Sequence, residues 1–165
     1  MIFLGRGFYL TTNNLYQIIP VLYKNWSITF DIMPREISKR YTNIIHVGLG
    51  GNMDVYGDRV PAIFFKPETT RLHICSAIDG DEDFNRFGST PDLPLFTWSN
   101  VIVGQCENEE GNYEFFVELN GETFFRVVNE KPDEFRDVKV YLADNHHNTA
   151  NAKIDNLKIE TESKI

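Results

Sequence analysis

The sequence predicts an all-β protein, a two-sheet antiparallel sandwich in a single domain spanning residues 1–165. Three observations predict it. Apolar residues recur at every second position in one segment after another, and turn residues punctuate those segments at short intervals. Aromatic side chains are abundant, with 13 Phe, 7 Tyr and 2 Trp, and such side chains suit pleated, half-buried surfaces.

The clearest segment runs from Trp26 to Met33. Trp26, Ile28, Phe30 and Ile32 fall on one face, and Ser27, Thr29 and Asp31 on the other. Pro34 then lacks the N–H needed to continue a ladder. Two strands are expected before it, Phe8 to Thr12 and Gln17 to Leu22. Asn43 to Leu49 is a nearly continuous apolar run, hence a buried strand. Ala62 to Lys66, Arg71 to Ile78, Ser99 to Gln105, Tyr113 to Leu119, Thr123 to Val128, Val138 to Ala143 and Lys153 to Glu160 complete the set. Asn120-Gly121 between two of these segments is a strong hairpin signal. Pro132 to Arg136 is expected to make a short helical turn. Asp79 to Thr97 carries no strand signal and is expected to be a long loop, the usual place for function on a sandwich.

Hydrophobic residues at 42% and charged residues at 24% exclude disorder. The net charge of −8 repels phosphate backbones and anionic lipid, so neither nucleic acid nor membrane insertion is expected. No apolar run approaches the ~20 residues that span a bilayer. The opening Met1-Ile2-Phe3-Leu4-Gly5-Arg6-Gly7 does not have the make-up of a signal peptide. A mature extracellular form or a piece of a larger protein is therefore expected. Cys75 and Cys106 leave two readings open, a pair of buried thiols or one disulfide stapling two strands. Two cysteines are too few for a zinc cage, and the four His show no metal-ligand spacing.

The order of several segments is familiar. Trp26 to Ile32 with Pro34 is followed by Tyr56-Gly57-Asp58-Arg59-Val60-Pro61, Leu72-His73-Ile74-Cys75-Ser76 and Leu95-Phe96-Thr97-Trp98. Val138-Lys139-Val140-Tyr141 with Asp144, and Ile154-Asp155-Asn156-Leu157, follow. Over residues 8 to 160 this resembles the laminin G-like and concanavalin A-like jelly-roll modules, especially those of extracellular animal proteins. The resemblance implies a jelly roll engaged in adhesion, glycan recognition or extracellular assembly, with a glycan or an extracellular protein as partner. In some members a calcium ion sits at the sandwich rim, between aspartates and carbonyls of separate loops. No catalytic set carries over, because the alternating carboxylates of fold-related glycosidases have no counterpart here.

The calcium reading falls on Asp58, Asp144 and the alternating trio Asp79, Asp81 and Asp83, whose oxygens could converge on a hard cation. An EF-hand is excluded, because Phe84 and Thr90 occupy its glycine and glutamate positions. Tyr56, Arg59 and Asn145 are the expected ligand-binding side chains, and Trp98, Tyr56 and Phe84 offer faces for sugar stacking. His146-His147 is expected to be exposed and inert. The expected function is thus a non-enzymatic extracellular recognition or adhesion module. A structural subunit that assembles into a polymer or homo-oligomer is the alternative, and a glycoside hydrolase the least favoured reading.

Overall fold

The computed structural model describes residues 6–87 and 90–164. The first five residues and the Gly88-Ser89 step of the expected loop lie outside them. The strands fall into two layers. The order is β1 (Phe8–Tyr9), β2 (Leu15–Leu22), β3 (Asn25–Pro34), β4 (Thr42–Gly48), β5 (Ala62–Phe65), β6 (Leu72–Ile78), β7 (Asp81–Phe84), β8 (Ser99–Glu107), β9 (Tyr113–Leu119), β10 (Glu122–Asn129), β11 (Phe135–Tyr141), β12 (Asn148–Thr149) and β13 (Ala152–Glu162). Sheet A has the order β1-β13-β3-β8-β9-β10, and sheet B the order β2-β11-β4-β5-β6-β7, with β12 running parallel to β4. All other pairings are antiparallel.

The period-two pattern of β3 does what it predicts. Trp26, Ile28, Phe30 and Ile32 are buried, while Ser27, Thr29, Asp31 and Met33 are half-buried on the other face. They join Val101 and Val103 of β8, Phe115 and Val117 of β9, and Ile45, Ile63, Ile74 and Val138 of sheet B in one continuous core. Each fully buried Ile or Phe contributes about 1.5–3 kcal/mol, which is what holds the layers together. Pro20 lies in β2, at the edge of sheet B, where a missing donor is tolerated. On the outer face of sheet A, Asp31 receives Asn100, Asn156 and the Arg6 guanidinium, and Arg6 also binds Asp155. Burial works against the Asp31 charge, but these donors and the Arg6 charge outweigh it and hold its carboxyl below the usual range.

Three expectations need correction. The stretch after Asp79 is not all loop: Asp79 and Gly80 both take positive φ, 55° and 80°, and turn β6 into β7. Asn120 and Gly121 do the same between β9 and β10, at 49° and 83°. The segment 132–136 forms no helical turn, because Phe135 opens β11 against Leu22 of β2 and buries its ring. Cys75 and Cys106 are both free thiols. Cys75 lies buried in sheet B and Cys106 exposed in sheet A, so neither the disulfide nor the buried pair holds.

Candidate functional site

The outer face of sheet B is not bare. β5 alternates, with Ile63 and Phe65 in the sandwich core and Ala62 and Phe64 pointing away from it. Phe64 is nevertheless only 2% exposed. It forms a small second cluster with Ala62 and Cys75, roofed by side chains from three loops. The Arg59 guanidinium stands 5.2 Å from the Phe64 ring centroid, a cation–π contact. The His147 ring meets Phe64 edge-on at 4.8 Å, and Tyr41 and His73 flank it at 6.4 and 6.0 Å.

Ionisable groups buried above this cluster are fully paired, as burial demands. Arg59 donates to the Asn52 carbonyl at 2.9 Å, the Asn52 amide oxygen at 2.7 Å and Asp83 Oδ1 at 2.8 Å. Asp58 Oδ2 accepts the Asp54 and Val55 N–H groups at 2.9 and 3.1 Å, tying its loop into a turn. Gly48 lets that loop lie against β4, since a Cβ there would stand 2.0 Å from the Asp58 carbonyl oxygen. The same oxygen accepts from His46 Nε2 at 2.7 Å.

His46 Nδ1 in turn meets Asp144 Oδ2 at 2.7 Å. Both His46 nitrogens therefore lie within hydrogen-bond distance of oxygens. Asp144 is saturated. Its Oδ2 also takes His147 Nδ1 at 3.0 Å, and its Oδ1 takes the backbone N–H groups of His146 and His147 at 3.1 and 3.0 Å. Burial would raise the Asp144 pKa, but the hydrogen bonds and charges of His147 and His46 overcome it and hold the carboxyl well below the usual range. Asn43 fixes the assembly from beneath. Its Oδ1 accepts the Asp144 N–H at 2.9 Å, and its amide donates to the Ile45 and Ile63 carbonyls where β4 bulges.

The two remaining titratable groups are electrically quiet. Burial, then the Lys66 charge, lowers the His73 pKa, which favours its neutral form. Burial, reinforced by Asp83, pushes the Cys75 thiol up to about 12, so it stays protonated at neutral pH.

The expected site residues are thus partly brought together. Asp58, Arg59, Asp83, Asp144 and Asn145 do gather around this face, by way of the 49–59 and 144–148 loops. Tyr56 does not: its hydroxyl donates to the Lys131 carbonyl and its ring packs on Phe135. Asp79 accepts the Glu130 N–H, Asp81 the Asp83 N–H and Asp83 the Arg59 guanidinium, so each member of the acidic trio has a separate partner. Among the described residues no group of three or more His, Cys, Asp or Glu is arranged to hold a metal ion. Trp98 lies under the Arg6 guanidinium, 4.4 Å from its ring centroid, and Phe84 packs against Phe87. His147 is half-buried and structural, contrary to expectation, while His146 is exposed.

A cleft of about 410 Å³ opens beside this roof, lined by Arg40, Tyr41, Asn145, His146, His147 and Asn148. A shallow notch that shares Asn145 and His146 continues it towards Lys139, Tyr141 and Gly50. A wider groove of about 700 Å³ lies on sheet A near Cys106, Phe116 and Ile159. Three of its polar side chains are already engaged: Gln105 binds the Lys24 carbonyl, Asn25 the Glu107 N–H and Thr161 the Asn25 carbonyl. The cleft on sheet B, with free amides and an exposed ring, is the better binding surface.

No family model matches the chain, and no curated protein matches it. Solved structures do. The native heptameric SAP-like pentraxin of Limulus polyphemus superposes with a TM-score of 0.61 at 14% identity, covering 90% of this chain and 70% of that one. The endo-β-1,4-glucuronan lyase of the fungus Trichoderma reesei gives 0.58 at 11%, covering 91% and 72%. Trypanosoma rangeli sialidase gives 0.58 at 10%, covering 86% of this chain and 21% of that one. At such identities the shared property is the fold. The chain is a jelly-roll β-sandwich of the concanavalin A-like type.

Proposed function

We propose that this chain is a non-enzymatic, extracellular glycan-recognition module of laminin G-like character that holds its saccharide in the Tyr41–His146 cleft. The observation that carries the reading is Tyr41. It is 44% exposed, yet its ring is set by Phe64 and by His73, 5.1 Å away. A rigid, exposed ring offers an apolar face to sugar C–H groups. The Asn145 and Asn148 amides and the His146 imidazole beside it supply donors and acceptors for sugar hydroxyls.

Two of the solved sandwiches are named for saccharide chemistry, the glucuronan lyase and the sialidase. Their catalysis is not carried over, because a fold hosts many functions. The groups buried here suit support better than reaction. Asp144 is too acidic and too fully bonded to serve as a base near neutrality, and Cys75 remains a thiol. This reading does not call on calcium: both Asp144 oxygens and Asp58 Oδ2 already accept hydrogen bonds from donors of this protein.

A glycan array followed by calorimetry tests the proposal. Saturable binding of at least one saccharide is expected, unchanged by EDTA and weakened about tenfold or more by Tyr41→Ala in protein that remains folded at the assay temperature. Absence of any glycan binding, or full binding by Tyr41→Ala, overturns it.

A further inference from the structure

We infer that the saccharide this cleft selects is an acidic one, bearing a carboxylate or sulfate that Arg40 receives. The inference rests on the glycan reading of the cleft. The chain as a whole carries a net charge of −8, a field that repels anions. The cleft and its adjoining notch run against that background. They bring together Arg40, Lys139 and the imidazoles of His46, His146 and His147. Among the described residues, Asp144 is the only carboxylate that lines them. That carboxylate is 2% exposed, and both its oxygens are taken by four donors. An incoming anion therefore meets cations and no free carboxylate.

Arg40 is the group placed to use this. Among the described residues its guanidinium has no hydrogen-bond or ion-pair partner, whereas Arg6, Arg59, Arg71 and Arg126 are each paired with an acid, and Arg35, Arg86 and Arg136, which have no acidic partner either, do not line the cleft. A free guanidinium presents a planar fork of donors that matches a carboxylate or sulfate edge to edge. Lys139 reinforces the field from the notch, since among the described residues its ammonium donates only to the Leu49 carbonyl, at 3.4 Å. A neutral sugar ring can stack on Tyr41 without using either cation. The anionic substituent is what gives Arg40 a role.

The test uses the full chain and matched pairs of oligosaccharides. Oligogalacturonate is compared with its methyl ester, and a sulfated oligosaccharide with its unsulfated parent, by calorimetry in about 50 mM and about 500 mM NaCl. The acidic member of at least one pair is expected to bind about tenfold or more tighter than its neutral counterpart. The advantage should shrink at high salt and be lost in Arg40→Gln, with the neutral member's binding unchanged. The pair that shows the advantage distinguishes carboxylate from sulfate. Equal binding of acidic and neutral members, or an advantage that survives Arg40→Gln, overturns the inference while leaving the glycan reading intact. Failure of every saccharide to bind overturns the glycan reading itself.

Discussion

Asp144→Asn is expected to be mild at pH 8, whereas Asp144→Ala is costly. In the native protein four donors converge on this carboxylate: His46 Nδ1 and His147 Nδ1 on Oδ2, and two backbone N–H groups on Oδ1. An asparagine that keeps its carbonyl at the Oδ1 position still serves the backbone pair. Its amide can then donate to both histidines, provided each ring is neutral with Nδ1 as acceptor. His46 retains its Nε2–H for the Asp58 carbonyl in that tautomer. The remaining cost is the difference between charge-assisted and neutral hydrogen bonds, about 1–2 kcal/mol. Alanine leaves buried donors without any acceptor, a loss of about 3–5 kcal/mol. Urea unfolding of the three proteins at pH 8 measures this. Asp144→Ala as mild as Asp144→Asn would refute this hydrogen-bond arrangement. The lowered Asp144 pKa contributes stability above about 3.9 that is lost as pH falls below it, and the lowered His73 pKa contributes stability above about 6.5 that is lost likewise.

Two further perturbations probe the frame around the site. Gly48→Ala should cost about 3 kcal/mol or more, because the new methyl stands 2.0 Å from the Asp58 oxygen and 2.5 Å from its carbonyl carbon, both backbone atoms. A lowered melting temperature with shifted amide resonances over residues 52–59 is the expected result, and a melt within about 1 °C of the parent contradicts it. With a thiol reagent at neutral pH and no reductant, Cys106 should react in the folded protein and Cys75 only after denaturant. Burial and a thiol pKa of about 12 protect Cys75. A failure to titrate two thiols in denaturant would restore the disulfide.

The sandwich was legible wherever one face is dry and the other wet. β3 shows this best, because alternate burial leaves a period of two in the sequence. β7 was hidden for the opposite reason. Its Asp-Glu-Asp-Phe is half-exposed throughout and carries no alternation, although the Asp79-Gly80 turn that launches it has the same form as Asn120-Gly121. At the site, Asp58 stood out within Tyr56-Gly57-Asp58-Arg59 and Asp144 after the segment Val138 to Ala143, and the structure does set them on one face. Their role differs from the expected one because the donors that saturate them, His46, His147 and two stretches of backbone, come from places the sequence does not connect. Phe64 gave no signal at all. In the run Ile63-Phe64-Phe65 every residue is buried, so hydrophobicity does not reveal that the middle ring faces away from the core. Tyr41 was silent too, as a single aromatic in a polar connection.

The small cluster under Arg59 and His147 separates two kinds of stability. The buried ionisable side chains His46, Asp58, Arg59 and Asp144 are gathered with the loops above sheet B, while the main core between the sheets is built from apolar side chains. The loops can therefore peel from Phe64 without water entering between the sheets. Sequence change in that upper layer can remodel the binding surface while the sandwich beneath keeps its fold, which leaves recognition free to diverge faster than architecture.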